Sequence, residues 1–143
     1  MPPSHVLIYG FIAGFLAVLI FHQGLWYLLN QMGVIPPDRS AWSIDPVPPL
    51  GVPSVLSKAF WGGVWGLALI PVLARLSGAA YWAGWTLAGA VALTLVAFFV
   101  VPPIKGEAMP APMLPRFVVG LLVNGAWGFG TALFLRVLGA ARG

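Results

Sequence analysis

VLIYGFIAGFLAVLIFHQGLWYLL, running from Val6 to Leu29, contains no Asp, Glu, Lys or Arg. An α-helix rises 1.5 Å per residue, so about 20 apolar residues cross the hydrocarbon core of a bilayer. This stretch is long enough to span, and a helix so apolar on every face is buried in lipid or in a core. Three further stretches are also long and apolar, from Val52 to Leu76, Ala79 to Val101 and Leu114 to Leu138. Little chain remains outside them. The expected fold is an all-α integral membrane protein, a single domain over 1–143 with four transmembrane helices at 6–29, 52–76, 79–101 and 114–138. A proline-rich loop over 30–51, a tight turn at Ser77-Gly78 and a second loop over 102–113 connect them.

The remaining composition agrees. Of 143 residues, 60% are hydrophobic and 7% charged, against about 25% charged in a soluble domain. Seven basic and three acidic residues give a net charge of +4, too sparse for nucleic acid and in keeping with anionic lipid headgroups. The absence of cysteine rules out disulfides, thiolate metal sites and c-type haem attachment. Met-Pro-Pro-Ser-His carries no Lys or Arg, and no Ala-x-Ala pattern follows the first apolar run. That run is therefore expected as a retained helix, not a cleaved signal peptide, and no lipidation pattern is visible.

Proline is concentrated on one side. Pro36, Pro37, Pro46, Pro48 and Pro49 lie between the first two spans, Pro102, Pro103, Pro110 and Pro112 between the last two, and Pro53 and Pro115 open the second and fourth. Proline is tolerated in a first helical turn, which lacks amide partners anyway. In loops it holds the backbone extended. These segments either simply end helices or form a stiff cap on one face, with Trp42 dipping into the headgroups. Pro71 is expected to kink the second helix near its middle. Arg39, Lys58, Lys105 and Arg116 lie on the proline-rich side, and Arg75, Arg136 and Arg142 on the other with the termini. The three acids, Asp38, Asp45 and Glu107, fall in the proline-rich loops. The reading is a bacterial inner-membrane, multi-pass protein with both termini cytoplasmic and the cap outside.

An internal repeat is the most specific signal. Pro53, Gly63, Trp65 and Gly66 are matched by Pro115, Gly125, Trp127 and Gly128, each 62 residues later without a gap. Helices 1 and 3 match more weakly, through Ile12-Ala13-Gly14 and Leu87-Ala88-Gly89. The chain thus reads as two tandem, like-oriented helical hairpins, a parallel internal repeat with an insertion in the first loop. Glycines at Gly10, Gly14, Gly62 and Gly66 have the four-residue spacing that lets helix backbones approach. Trp65 and Trp127, with Gly128, would complete the packing faces.

Polar residues inside the spans are costly. His22 and Gln23 lie near the end of the first span, and Lys58 near the start of the second, at matched depth. Two accounts stand for each. Lys58 either snorkels to the headgroups or lines a polar site. His22 is either a neutral ring bonded to a backbone carbonyl or part of that site. Such a site would comprise His22, Gln23 and Lys58, with Asp45 or Asp38 folding down as counter-charge. Asn124, nearer mid-span, reads first as interhelical hydrogen-bond glue and second as a ligand contact.

Several chemistries drop out. No second intramembrane histidine is present for a b-type haem. No metal spacing, paired carboxylates, nucleophile elbow or phosphate-binding glycine loop occurs. No cofactor, metal or enzymatic activity is expected. No helix carries a carboxylate, which weighs against a proton-coupled small multidrug exporter. Phe21-His22-Gln23-Gly24, Pro49-Leu-Gly-Val-Pro53, Ala59-Phe-Trp-Gly-Gly-Val-Trp-Gly66 and Asn124-Gly-Ala-Trp-Gly128 resemble small four-helix inner-membrane proteins of bacteria that have no assigned activity. The similarity covers most of the chain and implies a membrane location and a four-span fold. Two functions stay open: a homo-oligomeric transporter or channel-like protein for a small solute or ion, or a non-catalytic accessory subunit of a larger membrane complex.

Overall fold

The computed structural model describes residues 3–141, so Arg142, counted above beside the termini, lies outside them. Four helices are long and apolar enough to cross a membrane: α1 Ser4–Gln31, α2 Ser54–Leu73, α3 Gly78–Lys105 and α4 Met113–Val137. Helices α1 and α4 begin and end within two residues of the expected spans. The other two differ, each for a local reason.

Helix α2 is shorter than the expected 52–76. Val52 and Pro53 form a strand, β2, paired antiparallel with β1, Pro46–Val47, in the register Pro46 to Pro53 and Val47 to Val52. The turn between them closes through Gly51 N–H to Val47 C=O at 2.9 Å. At the other end α2 stops at Leu73, which leaves Pro71 in its last turn and not near its middle. Helix α3 is longer than 79–101 and continues through Pro102 and Pro103 to Lys105. The backbone just before those prolines, Val96–Val100, is wound as a wider π-type turn. A widened turn displaces the carbonyls that a proline ring would meet in a regular helix. Gly106, at φ 71°, then ends the helix in the left-handed conformation that glycine takes at little cost.

The helices pack in the order α2, α1, α4, α3, and α2 and α3 touch chiefly beside their connecting turn, where Leu73 and Leu76 meet Gly84. Packing between α1 and α2 is backbone against backbone. A methyl group at Gly14 would fall on the Gly62 carbonyl, and one at Gly66 on the Gly10 carbonyl. The α3–α4 pair is equally close: a methyl at Gly128 would fall on the Trp85 carbonyl, and one at Gly89 would lie 2.5 Å from the Asn124 carbonyl. Such approach gains dispersion contacts that lipid tails do not supply. Trp127 is fully buried where α1, α2 and α4 meet, and its indole N–H donates to the Gly14 carbonyl at 3.0 Å. Trp65 is only partly buried, packed against the same core. Tyr81 on α3 is also fully buried and donates its hydroxyl to the Ala132 carbonyl of α4 at 2.7 Å.

Both proline-rich loops come together at one end of the bundle. Pro36 and Arg39 of the first share a cleft with Pro112 of the second and with Pro115 and Arg116 in the first turn of α4.

Candidate functional site

The polar residues collect on the outer half of α1, and a local change in its winding puts them there. Val18–His22 forms a π-type turn within α1. Such a turn inserts one residue, offsets the faces of the helix on either side of it, and leaves a carbonyl without its usual partner. The Leu19 carbonyl in this turn accepts the Trp42 indole N–H at 2.7 Å. Trp42 therefore lies back against α1, its ring 5.8 Å from that of Tyr27.

A directed run of hydrogen bonds starts at the same residue. The Trp42 backbone N–H donates to Gln23 Oε1 at 2.8 Å. A backbone N–H can only donate, so the Gln23 oxygen faces Trp42 and its NH2 group faces His22. Gln23 Nε2 then donates to His22 Nδ1 at 2.9 Å, which places the ring proton on Nε2. The Asn124 side chain lies beside the His22 ring, close enough to act on it. Asn124 in turn donates through Nδ2 to Thr94 Oγ1 at 2.9 Å. The run passes from the first loop through α1 and α4 to α3. Gln23 and Thr94 are fully buried, and His22 and Asn124 partly so.

Trp26 forms a second centre beside this run. Its ring stacks on His22 at 6.1 Å and an interplanar angle of 16°. Lys58 Nζ lies 4.9 Å from the ring centroid and Arg39 Cζ 5.0 Å from it. A cation on an aromatic face gains about 0.5–2 kcal/mol, more as water is excluded. Lys58 is half-buried and close enough for its charge to act on His22. Its ammonium caps the Trp26 ring. Asn30 Nδ2 and Trp26 Nε1 both donate to the Arg39 carbonyl, at 3.1 and 2.7 Å, and fasten the first loop over the site.

The expected grouping of His22, Gln23 and Lys58 is thus present, with Asn124 joined to it. The expected counter-charge is a correction. Asp45 and Asp38 are exposed. Asp45 sits at the edge of the two-stranded ladder, where its N–H donates to Ser43 Oγ at 3.2 Å and its carbonyl accepts from Ser54 N–H at 2.8 Å. Held there by its own backbone, it does not fold under the cap; among the described residues Arg39, not a carboxylate, is the charge acting on Lys58. Asp38 acts instead on Arg39. Among the described residues no group of His, Cys, Asp and Glu is arranged to hold a metal ion.

Four participants were not foreseen: Trp26, Trp42, Thr94 and Arg39. Trp26 had a signal, since it follows His22 by one helical turn and must share its face. Arg39 and Trp42 had none, because loop positions carry no periodicity. Thr94 was hidden in a uniformly apolar run.

Replacing Gln23 by leucine is expected to destabilise the protein by about 2 kcal/mol, because it strands both the Trp42 N–H and His22. Quenching of Trp42 by a water-soluble agent should rise as the loop lifts from α1; unchanged stability and quenching would contradict the assigned bonds.

The geometry defines a helical membrane protein with four helices of spanning length and an interior tied by one polar run. Comparison with protein-family models, curated proteins and solved structures finds no match.

Proposed function

We propose that this chain is a non-catalytic accessory or structural subunit of a larger membrane complex. One observation carries the reading: the intramembrane polar groups are already spent on one another. Gln23 bonds His22 and the first loop, Asn124 bonds Thr94 across α4 and α3, and Asn124 lies beside the His22 ring. A solute site needs a few convergent polar groups with capacity left for the ligand. A satisfied buried network instead rigidifies a fold. A second reading, a homo-oligomeric transporter or channel-like protein for a small solute or ion, draws on a different observation. Lys58, Arg39 and Arg116 lie within electrostatic reach in sequence, an anion-favouring mouth.

The proposal includes two finer points of architecture. The chain is taken as two tandem hairpins of like orientation. In the first, Gly14 meets Gly62 and Gly10 meets Gly66; in the second, Gly89 meets Asn124 and Trp85 meets Gly128. Shifting α1 positions by 75 and α2 positions by 62 converts one set of pairs into the other, which supports duplication. The halves are not used equally. The α1–α4 side is closed around Trp127, whereas its counterpart, α2–α3, stays open away from the turn and leaves Trp65 half-buried. That open flank is where a partner helix would lie. The second point is location: a bacterial inner membrane, with the termini in the cytoplasm and the proline-rich cap outside.

Purification in mild detergent separates the readings. The expected result is a stoichiometric foreign membrane protein bound to the chain. A self-contained homo-oligomer that moves a solute after reconstitution into vesicles would replace this reading with the second.

A further inference from the structure

We propose that the cleft between the first loop and the start of α4 binds a phosphate-bearing anion, and that in the membrane this anion is the headgroup of an acidic phospholipid. The cleft encloses about 170 Å³ and is lined by Arg39 and Arg116 among apolar neighbours, including Ile35, Pro112, Pro115 and Val119.

Three independent features make it electropositive. Arg39 and Arg116 are close enough to repel, and burial together with Arg116 pushes the Arg39 guanidinium below its ordinary value, with Asp38 opposing. Arg39 is also held in place. Its carbonyl accepts from Trp26 and Asn30, and its guanidinium lies over the Trp26 ring. Two like charges beside one cleft, one of them held in place, are unfavourable until an anion lies between them. The third feature is the start of α4. Pro112 offers no side-chain cap, and no acid stands in the first turn of this 25-residue helix. Its free N–H groups and dipole therefore face outward uncompensated. Arginine forks suit phosphate oxygens in a bidentate arrangement.

The apolar part of the wall argues for a lipid source over free phosphate. Ile35 and Val119 are buried behind the arginines. Leu114 and Val118, one turn apart on α4, are exposed on the helix that carries Arg116 and can take the adjoining acyl chains. A phosphate diester with two chains satisfies both halves of this surface.

The test uses the full chain in detergent micelles, titrated with phosphatidylglycerol, with phosphatidylcholine and with inorganic phosphate, and read by native mass spectrometry. Wild type is expected to hold phosphatidylglycerol at least tenfold more tightly than phosphatidylcholine. Each of Arg39→Gln and Arg116→Gln should weaken that preference about fivefold, and together they should abolish it. Fold is preserved in Arg39→Gln because Trp26 and Asn30 bind the backbone carbonyl, not the side chain. The double variant Arg75→Gln/Lys105→Gln removes the same net charge elsewhere and should behave as wild type. Inorganic phosphate that displaces the lipid completely at millimolar concentration would keep the anion site but overturn its lipid assignment. Equal binding of the two lipids, or equal loss in both double variants, would overturn the site.

Discussion

Gly14→Val is expected to part α1 from α2 and to cost about 3 kcal/mol or more. The valine Cβ would fall on the Gly62 carbonyl and 3.2 Å from Gly63 Cα. Both are backbone atoms, so no rotamer change relieves the contact and a whole helix must move. Moving it also forfeits the neighbouring approach of Gly10 to Gly66, which depends on the same crossing. Gly24→Ala is the matching control on the same helix. Its added methyl meets nothing within 4 Å, and alanine favours the helix by up to about 1 kcal/mol. Unfolding by sodium dodecyl sulfate in mixed micelles, followed by helicity, reads both. A Gly14→Val protein that unfolds at the wild-type denaturant fraction would refute the close helix crossing.

Trp127→Ala is expected to be as severe, about 3–5 kcal/mol. Trp127 is fully buried, donates to the Gly14 carbonyl and packs edge-on against Trp85 at 6.5 Å between ring centroids. Its removal opens a cavity at the meeting point of three helices. Trp127→Phe should cost less, about 1–2 kcal/mol, since most of the volume remains and one buried hydrogen bond is lost. Trp85 provides the contrast. It is equally buried, but its indole N–H has no hydrogen-bond partner. Trp85→Phe therefore removes no bond and is expected to be milder than Trp127→Phe in the same assay. Equal costs for the two phenylalanine variants would mean that the Trp127–Gly14 bond contributes nothing.

Both results concern residues visible in the sequence, and the reason is physical. Span length, the four-residue spacing of Gly10 and Gly14 and that of Gly62 and Gly66 follow from helix rise and pitch, which one sequence suffices to apply. His22, Gln23, Lys58 and Asn124 stood out because polarity inside an apolar run is expensive. What could not be read was how the loop would serve them. Asp45 was the natural counter-charge for Lys58 by chemistry. The structure instead uses the face of Trp26, which no charge count would propose. The start of α2 and the end of α3 differ from the expected bounds beside prolines. At Pro102 and Pro103 the wider turn upstream accommodates the rings, and at Pro53 a two-residue strand comes before the helix. Tertiary context settled each of these points, and hydropathy does not encode it.

The extra residue in the winding of α1 at Val18–His22 divides that helix into two pieces with separate bearings. Before it, Gly10 and Gly14 address α2; after it, Gln23, Trp26 and Leu29 address the first loop and α4. Because each residue turns a helix by about 100°, removing one position from this segment would leave the inner piece undisturbed while swinging His22, Gln23 and Trp26 together toward lipid. The first helix therefore behaves as two modules joined by a swivel. The orientation of the second module can be altered by length alone, without changing Gly10 or Gly14, which meet α2.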